Sequence, residues 1–137
     1  MDRGTFAVAV SCIDGRVHEP LLAWVRERSG ADHVDLVTEP GPDAALADCP
    51  TGACDAIRAR LSVSLRAHAP SAVVIAGHDD CAANPVDPAT QRLHIAAAVH
   101  EVRSWDPAIP VTGVWVGADG TVEEVAADPD GASPILG

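Results

Sequence analysis

Apolar and polar positions along the chain alternate between a strand period and a helix period. Phe6 to Val10 is an unbroken apolar run ending at Ser11-Cys12, the pattern of a short strand covered on both faces. Pro20 to Arg28 follows with helical spacing. Leu21, Leu22 and Val25 share one side, Pro20 falls in the first turn, and Gly30 supplies the stop. His33 to Thr38 reads as a second strand, and residues 39–50, with three prolines, as a loop. Thr51 to His68 sets Ala53, Ile57, Leu61 and Leu65 four apart, a helix that Pro70 ends. Ala72 to Ala76 is the most apolar strand and therefore the central one. Asp87-Pro88 opens a further helix, Asp as N-cap and Pro at the first helical position, with Leu93, Ala96, Ala97, Val99 and Val102 as its apolar side. That helix stops near Trp105-Asp106-Pro107. Val111 to Val116 and Thr121 to Val125 are strands joined through Gly117-Ala118-Asp119-Gly120, a hairpin signal.

Strands alternating with helices predict an α/β fold: a single-domain, open, mostly parallel sheet with helices on both faces and a C-terminal hairpin. Residues 1–125 form this domain, and residues 126–137, with two prolines and two glycines, read as a loose C-terminal tail. A chain of 137 residues suits one domain, and 47 % apolar with 3 % aromatic residues means a core of Ala, Val, Leu and Ile. The formal net charge is -11 and every basic residue is Arg, so the surface repels phosphate backbones and argues against a nucleic-acid partner. No apolar run approaches the ~18 residues of a membrane span. The first residues enter a strand pattern at once, without the features of a secretory signal, so a cytoplasmic protein is expected. In that compartment four cysteines read as metal ligands or buried thiols rather than a disulfide framework.

In open α/β sheets the ligand site lies beyond the carboxyl ends of the strands. The first strand ends in C-I-D-G-R, with Cys12, Asp14 and Arg16; the central strand ends in G-H-D-D-C, with His78 and Cys81. Two thiols and one imidazole at one sheet edge make a soft donor set that favours zinc, and three protein ligands leave a position open, as in catalytic sites. Asp14 and Arg16 share the parity of Cys12 if the strand continues, which sets a carboxylate and a guanidinium beside the metal. Each element alone is weak: a strand-end Cys is commonly a small hydrophobe, and a surface Asp–Arg pair contributes little. Their convergence at corresponding strand ends carries the metal reading.

Cys12-x-Asp14-x-Arg16 after the first strand, with His78-x-x-Cys81 after the third, resembles the signature of the β-class carbonic anhydrases. The chain is similar to a short, divergent branch whose pattern runs approximately C-I-D-G-R…T-E-P-G…G-H-x-D-C-A-x-N-P. The likeness spans Phe6 to Val125. It implies one Zn2+ per chain held by Cys12, His78 and Cys81, a catalytic dyad of Asp14 and Arg16, the strand order 2-1-3-4 and a homodimer. It also implies reversible hydration of carbon dioxide to bicarbonate by a zinc-bound hydroxide, which Asp14 orients while Arg16 holds Asp14. In a resting form known in the family, the Asp ligates zinc directly. Thr38-Glu39-Pro40-Gly41 replaces the family's R-N-A-G-like turn, so Glu39 could be a proton acceptor near the metal, a fourth ligand, or a solvated carboxylate. Ala82 stands where Gly is common, and the family's N-terminal arm and aromatic pocket lining are missing. These departures bear on the substrate more than on the metal, and three further readings stay open. One is a hydrolase of a related linear molecule such as carbonyl sulfide or carbon disulfide, the second a non-catalytic zinc-binding module, the third a redox protein with a Cys12–Cys81 disulfide.

The remaining candidates are weaker. Cys49 and Cys54 could hold a second metal or form a redox pair, but two ligands without an adjacent His are too few, and they read as free thiols. His18 is a proton relay or a surface helix residue. His33, His68, His94 and His100 read as scattered boundary residues, Trp24, Trp105 and Trp115 as core or dimer contacts, and Glu123 and Glu124 as a polar hairpin edge.

Overall fold

The computed structural model describes residues 3–128. Five strands, β1 (Phe6–Ser11), β2 (His33–Thr38), β3 (Val73–His78), β4 (Val111–Val116) and β5 (Val122–Asp128), form one sheet in the order β2-β1-β3-β4-β5. The first four run parallel and β5 returns antiparallel to β4. The apolar Ala72–Ala76 segment does occupy the centre, as β3, and the strand continues through Gly77 and His78. β5 runs to Asp128, three residues beyond the expected strand end at Val125, and the remainder of the expected tail lies outside the described residues.

Side chains alternate between the two faces of the sheet. Val8, Val10, Val73, Ile75 and Val111 point to one face, where they pack on Leu46, Ile57, Leu61, Val99 and Val102 from the helices α2 (Pro42–Ala47), α3 (Gly52–His68) and α4 (Pro88–Ser104). The smaller Ala7, Ala9 and Ala76 face the other way, with Val74, Val114 and Val116, and receive Val17, Leu21 and Val25 of α1 (Gly15–Ser29). One helix thus covers one side and three cover the other. Gly113 lets α4 approach β4 closely, since a Cβ there would stand 2.5 Å from Ile95 Cγ2.

Several elements differ from the sequence reading. α1 starts at Gly15 because Asp14 caps it, its Oδ1 accepting from the Arg16 N–H at 2.9 Å; Pro20 therefore lies inside the helix, not in its first turn. A six-residue helix, α2, occupies the expected loop, its Pro42 tolerated at the helix start. α4 buries Gln91, Ile95, Ala98, Val99 and Val102, so its inward face is rotated from the one predicted, and Leu93 is 70 % exposed. The helix start at Asp87 is as expected, with Asp87 Oδ1 accepting from the Thr90 N–H at 2.7 Å. Glu123 and Glu124, read as a polar hairpin edge, do lie on β5 and pair with Arg92 of α4 and Arg28 of α1.

The largest correction concerns Cys49 and Cys54. They are a disulfide, not free thiols, with Cα atoms 5.6 Å apart. Thr51 caps α3, its Oγ1 accepting from the Cys54 N–H at 3.1 Å, and this puts Cys54 in the first turn facing back toward Cys49.

Candidate active site

β1 and β3 are direct neighbours, so the chain segments leaving them start side by side. Cys12 follows β1 and His78 is the last residue of β3. Between His78 and Cys81 the chain reverses through Asp80, whose φ of 56° is the left-handed conformation that Asp tolerates better than most residues. The reversal returns Cys81 to Cys12, with Sγ atoms 4.0 Å apart. One donor atom each from Cys12, His78 and Cys81 falls within 4.8 Å of the other two, and all three residues are buried.

The donor chemistry of this cluster fits a metal. His78 Nδ1 donates to the Asp79 carbonyl at 2.7 Å, which leaves Nε2 as the lone-pair nitrogen. Nε2 is buried and has no hydrogen-bond partner, an expense that a metal bond removes. Two thiolates bonded at ~2.3 Å to one tetrahedral ion lie about 3.8 Å apart, close to the sulfur separation seen. Burial pushes the Cys81 thiol up, and Cys12 beside it adds to the effect; a bound dication reverses both by favouring thiolate.

Asp14 and Arg16 reach the site through a helix start rather than through strand parity. β1 ends at Ser11, and both residues belong to the N-terminal turn of α1. Arg16 Nη2 donates to Asp14 Oδ2 at 2.6 Å, and Nε to Oδ1 at 3.0 Å. Arg16 itself is anchored by Asp80, through the carbonyl at 3.3 Å and Oδ2 at 3.4 Å. The Arg16 side chain, then its backbone N–H, hold the Asp14 carboxyl well below the usual carboxylate range, and the nearby His78 acts in the same direction. Beside this dyad lies a small cavity of about 90 Å³ lined by Arg16, Val17, His78, Asp79, Val116, Gly117, Ala118 and Gly120. A larger cleft of about 760 Å³ lies between β2 and α3, away from the His78 nitrogen.

Other candidates are placed elsewhere. Glu39 Oε1 accepts from Arg60 Nη1 at 2.8 Å, an ion pair with α3 that keeps it out of the cluster. His18 Nε2 donates to the Cys12 carbonyl at 2.9 Å and so braces the loop that carries this Cys. His68 Nδ1 bonds Asp35 Oδ2 at 2.6 Å and stacks on Phe6, so it is a built contact rather than a scattered surface residue. The three tryptophans are half-buried, each beneath an arginine.

Sequence reasoning missed a buried polar cluster of Asp43, Asn84 and Gln91. Asp43 of α2 is wholly buried against Gly77, where a Cβ would come within 2.8 Å of its Oδ2. That oxygen accepts from Asn84 Nδ2 at 3.2 Å, and Asn84 also donates to His94 Nδ1 at 3.0 Å. Gln91 Nε2 lies against the same carboxyl without closing a hydrogen bond of ordinary geometry. Burial pushes the Asp43 carboxyl up. Through Asn84, α2 grips the turn that delivers Cys81. The only sequence signal was the N-P pair, Asn84-Pro85, inside the resembling motif.

A family model described as "Putative carbonic anhydrase" matches residues 2–126. No curated protein matches the chain. Among solved structures, it is similar to a tetrameric β-carbonic anhydrase from the filamentous ascomycete Sordaria macrospora. The TM-score is 0.64 at 11 % identity, over 93 % of this chain and 84 % of that one. β-carbonic anhydrase isoform I from the protozoan Trichomonas vaginalis gives 0.59 at 15 % identity, over 88 % and 82 %. The β-carbonic anhydrase CcaA gives 0.53 at 11 % identity, over 94 % and 78 %. At such identities the likeness is one of fold.

Proposed function

The chain belongs to the carbonic anhydrase family whose model it matches and is a carbonic anhydrase-like lyase; from this premise we propose that it hydrates carbon dioxide reversibly, using one zinc ion held by Cys12, His78 and Cys81. The observation that carries the reading is the buried, unpartnered Nε2 of His78, set against two thiols 4.0 Å apart. When bound at three protein ligands, zinc supplies a coordinated water that ionises near neutral pH and a Lewis acid beside it. The chain's own residues then have distinct tasks. Cys12 and Cys81 bring two negative charges that hold the ion in a buried place, and the Asp79 carbonyl fixes the tautomer of His78.

Asp14 is the acceptor that orients the attacking water. Its carboxyl stays ionised across the working pH range because Arg16 occupies it, and an ionised carboxylate accepts hydrogen bonds without giving a proton back. Arg16 is a positioning residue that holds Asp14 at the edge of the site and is itself held by Asp80. The cavity of about 90 Å³ beside Arg16 and His78 has room for a linear triatomic substrate. Glu39 and Asp14 are both taken by arginines, which weighs against a site plugged by its own carboxylate.

The test is stopped-flow hydration of carbon dioxide on zinc-loaded protein, with hydrolysis of carbonyl sulfide measured in parallel. Hydration well above that of an Asp14→Asn protein with equal zinc is expected. Equal rates in the two would leave a non-catalytic zinc module, and turnover of carbonyl sulfide alone would reassign the substrate.

A further inference from the structure

Cys49 and Cys54 are the second sulfur pair of the molecule, and from sequence they lacked a third ligand. The fold supplies one. Glu101 of α4 brings a carboxylate oxygen within 4.8 Å of both sulfurs, across more than forty residues of chain. The three line a cleft of about 210 Å³ with Pro50, Asp55, Arg58 and Trp105. Trp105 Nε1 donates to Glu101 Oε2 at 3.1 Å, which fixes the carboxylate. This is how a supporting hydrogen bond orients a metal-ligating carboxylate. Arg58, whose guanidinium lies 5.1 Å over the Trp105 ring, partly offsets the negative charge that three such ligands concentrate.

We propose that this cleft is a second, redox-gated metal site: when the disulfide is reduced, Cys49, Cys54 and Glu101 bind a thiophilic divalent cation such as zinc. While the disulfide stands, both sulfurs are spent on each other and only the carboxylate remains, too little for such an ion. Cys49 is half-buried and Cys54 is 4 % exposed, so an external dithiol attacks at Cys49 Sγ. The S–S bond breaks, Cys54 leaves as thiolate in the first turn of α3, where the helix N-terminus favours negative charge, and the dithiol's second sulfur expels Cys49. Two electrons and two protons pass to the pair, and the dithiol closes to its own disulfide. Metal entry then displaces the two thiol protons to solvent. Two thiolates and a carboxylate with water in the fourth place are an ordinary zinc donor set. A covalent tie between the loop after α2 and α3 is thereby exchanged for a coordinate tie that also engages α4.

The experiment counts zinc. Oxidised protein and protein reduced with a trialkylphosphine, which takes its oxygen from water and offers no thiol, are desalted under argon, loaded with Zn2+, desalted again and assayed. Reduction should add one zinc per chain over the oxidised protein, counted as the part of any gain that Cys49→Ser abolishes, which separates it from zinc taken up by Cys12, His78 and Cys81. Reduced Cys49→Ser should lack the added ion. Reduced Glu101→Gln should hold it about tenfold or more weakly in competition with a chromophoric chelator. No gain on reduction overturns the proposal, as does a gain that survives in Cys49→Ser; an unchanged affinity in Glu101→Gln removes the third ligand and with it the site as proposed.

Discussion

Arg16 holds Asp14 twice: its backbone N–H, which Asp14 caps, and its guanidinium donate to the same carboxylate, at 2.9 Å and as close as 2.6 Å. A carboxylate held in this way cannot swing freely, and its free lone pairs have a set direction. If it orients the attacking water, Asp14→Asn and Arg16→Ala should each lower hydration turnover by roughly 10- to 1000-fold, as expected for the loss of an oriented catalytic group or its holder. Zinc content should be unchanged in both, by elemental analysis. Arg16→Ala keeps the backbone N–H that Asp14 caps, and Asn caps about as well as Asp, so both variants should fold, which circular dichroism checks.

The metal assignment has its own test. Oxidised protein should carry close to one zinc per chain, and Cys12→Ser and Cys81→Ser should lose it while Cys49→Ser retains it. Full zinc in both of the first two variants would remove the ligands assigned here.

Asp43 gives a pH-dependent prediction. Its carboxyl is raised above the ordinary value of 3.8, chiefly by burial, so folding favours the protonated form. The stability this group lends is complete below pH 3.8 and is lost as pH rises through its folded pKa. Asp43→Asn has no such titration. The variant should lie within about 1 kcal/mol of the parent at the acid end and gain on it as pH rises to neutrality. Urea unfolding of both proteins across that range measures the gap; a gap that stays constant or moves the other way contradicts the burial argument.

A fourth prediction concerns assembly. Among the described residues no strand pairs with the outer edge of β2, and the cleft of about 760 Å³ beside it is walled by Leu36, Val37 and Ala67. Ile13 and Val63 on its rim are 60 % and 56 % exposed. An open strand edge next to an apolar cleft is a surface a second copy can cover, and a homodimer of standard interface size is expected. Val63→Glu should move sedimentation toward monomer at micromolar concentration. A parent protein that sediments as a monomer there would refute the dimer.

The contact at Gly113 predicts a stability change remote from the chemistry. An added Cβ would stand 2.5 Å from Ile95 Cγ2 and 2.8 Å from Val99 Cγ2, inside the packed α4–β4 contact. Gly113→Ala should therefore cost about 1–3 kcal/mol in denaturant unfolding with hydration per folded molecule preserved.

By itself the sequence determined the five strands and the three long helices, though not α2 or the start of α1, and which chemistry stands at the ends of β1 and β3. Apolar runs such as Phe6–Val10 and Ala72–Ala76, broken by proline and glycine, leave little choice locally; the strand order that sets Cys12 beside His78 and Cys81 comes only through the family resemblance and is seen in the β1–β3 pairing. Only the tertiary structure decided how groups from separate segments pair. Asp14 meets Arg16 because the chain turns into a capped helix at Gly15, where extending the strand gave the wrong geometry for the right residues. Glu39 belongs to Arg60, Asn84 to Asp43, and Glu101 to the Cys49–Cys54 cleft, over separations of 21, 41 and more than forty residues. Leu93 shows the same limit in a single helix: periodicity finds an apolar stripe, but the face that turns inward is the one whose side chains, here Ile95 and Val99, fit over Gly113. Hydrophobic period is a local property of the chain, whereas side-chain pairing depends on which surfaces pack together, and that is set by the whole fold at once.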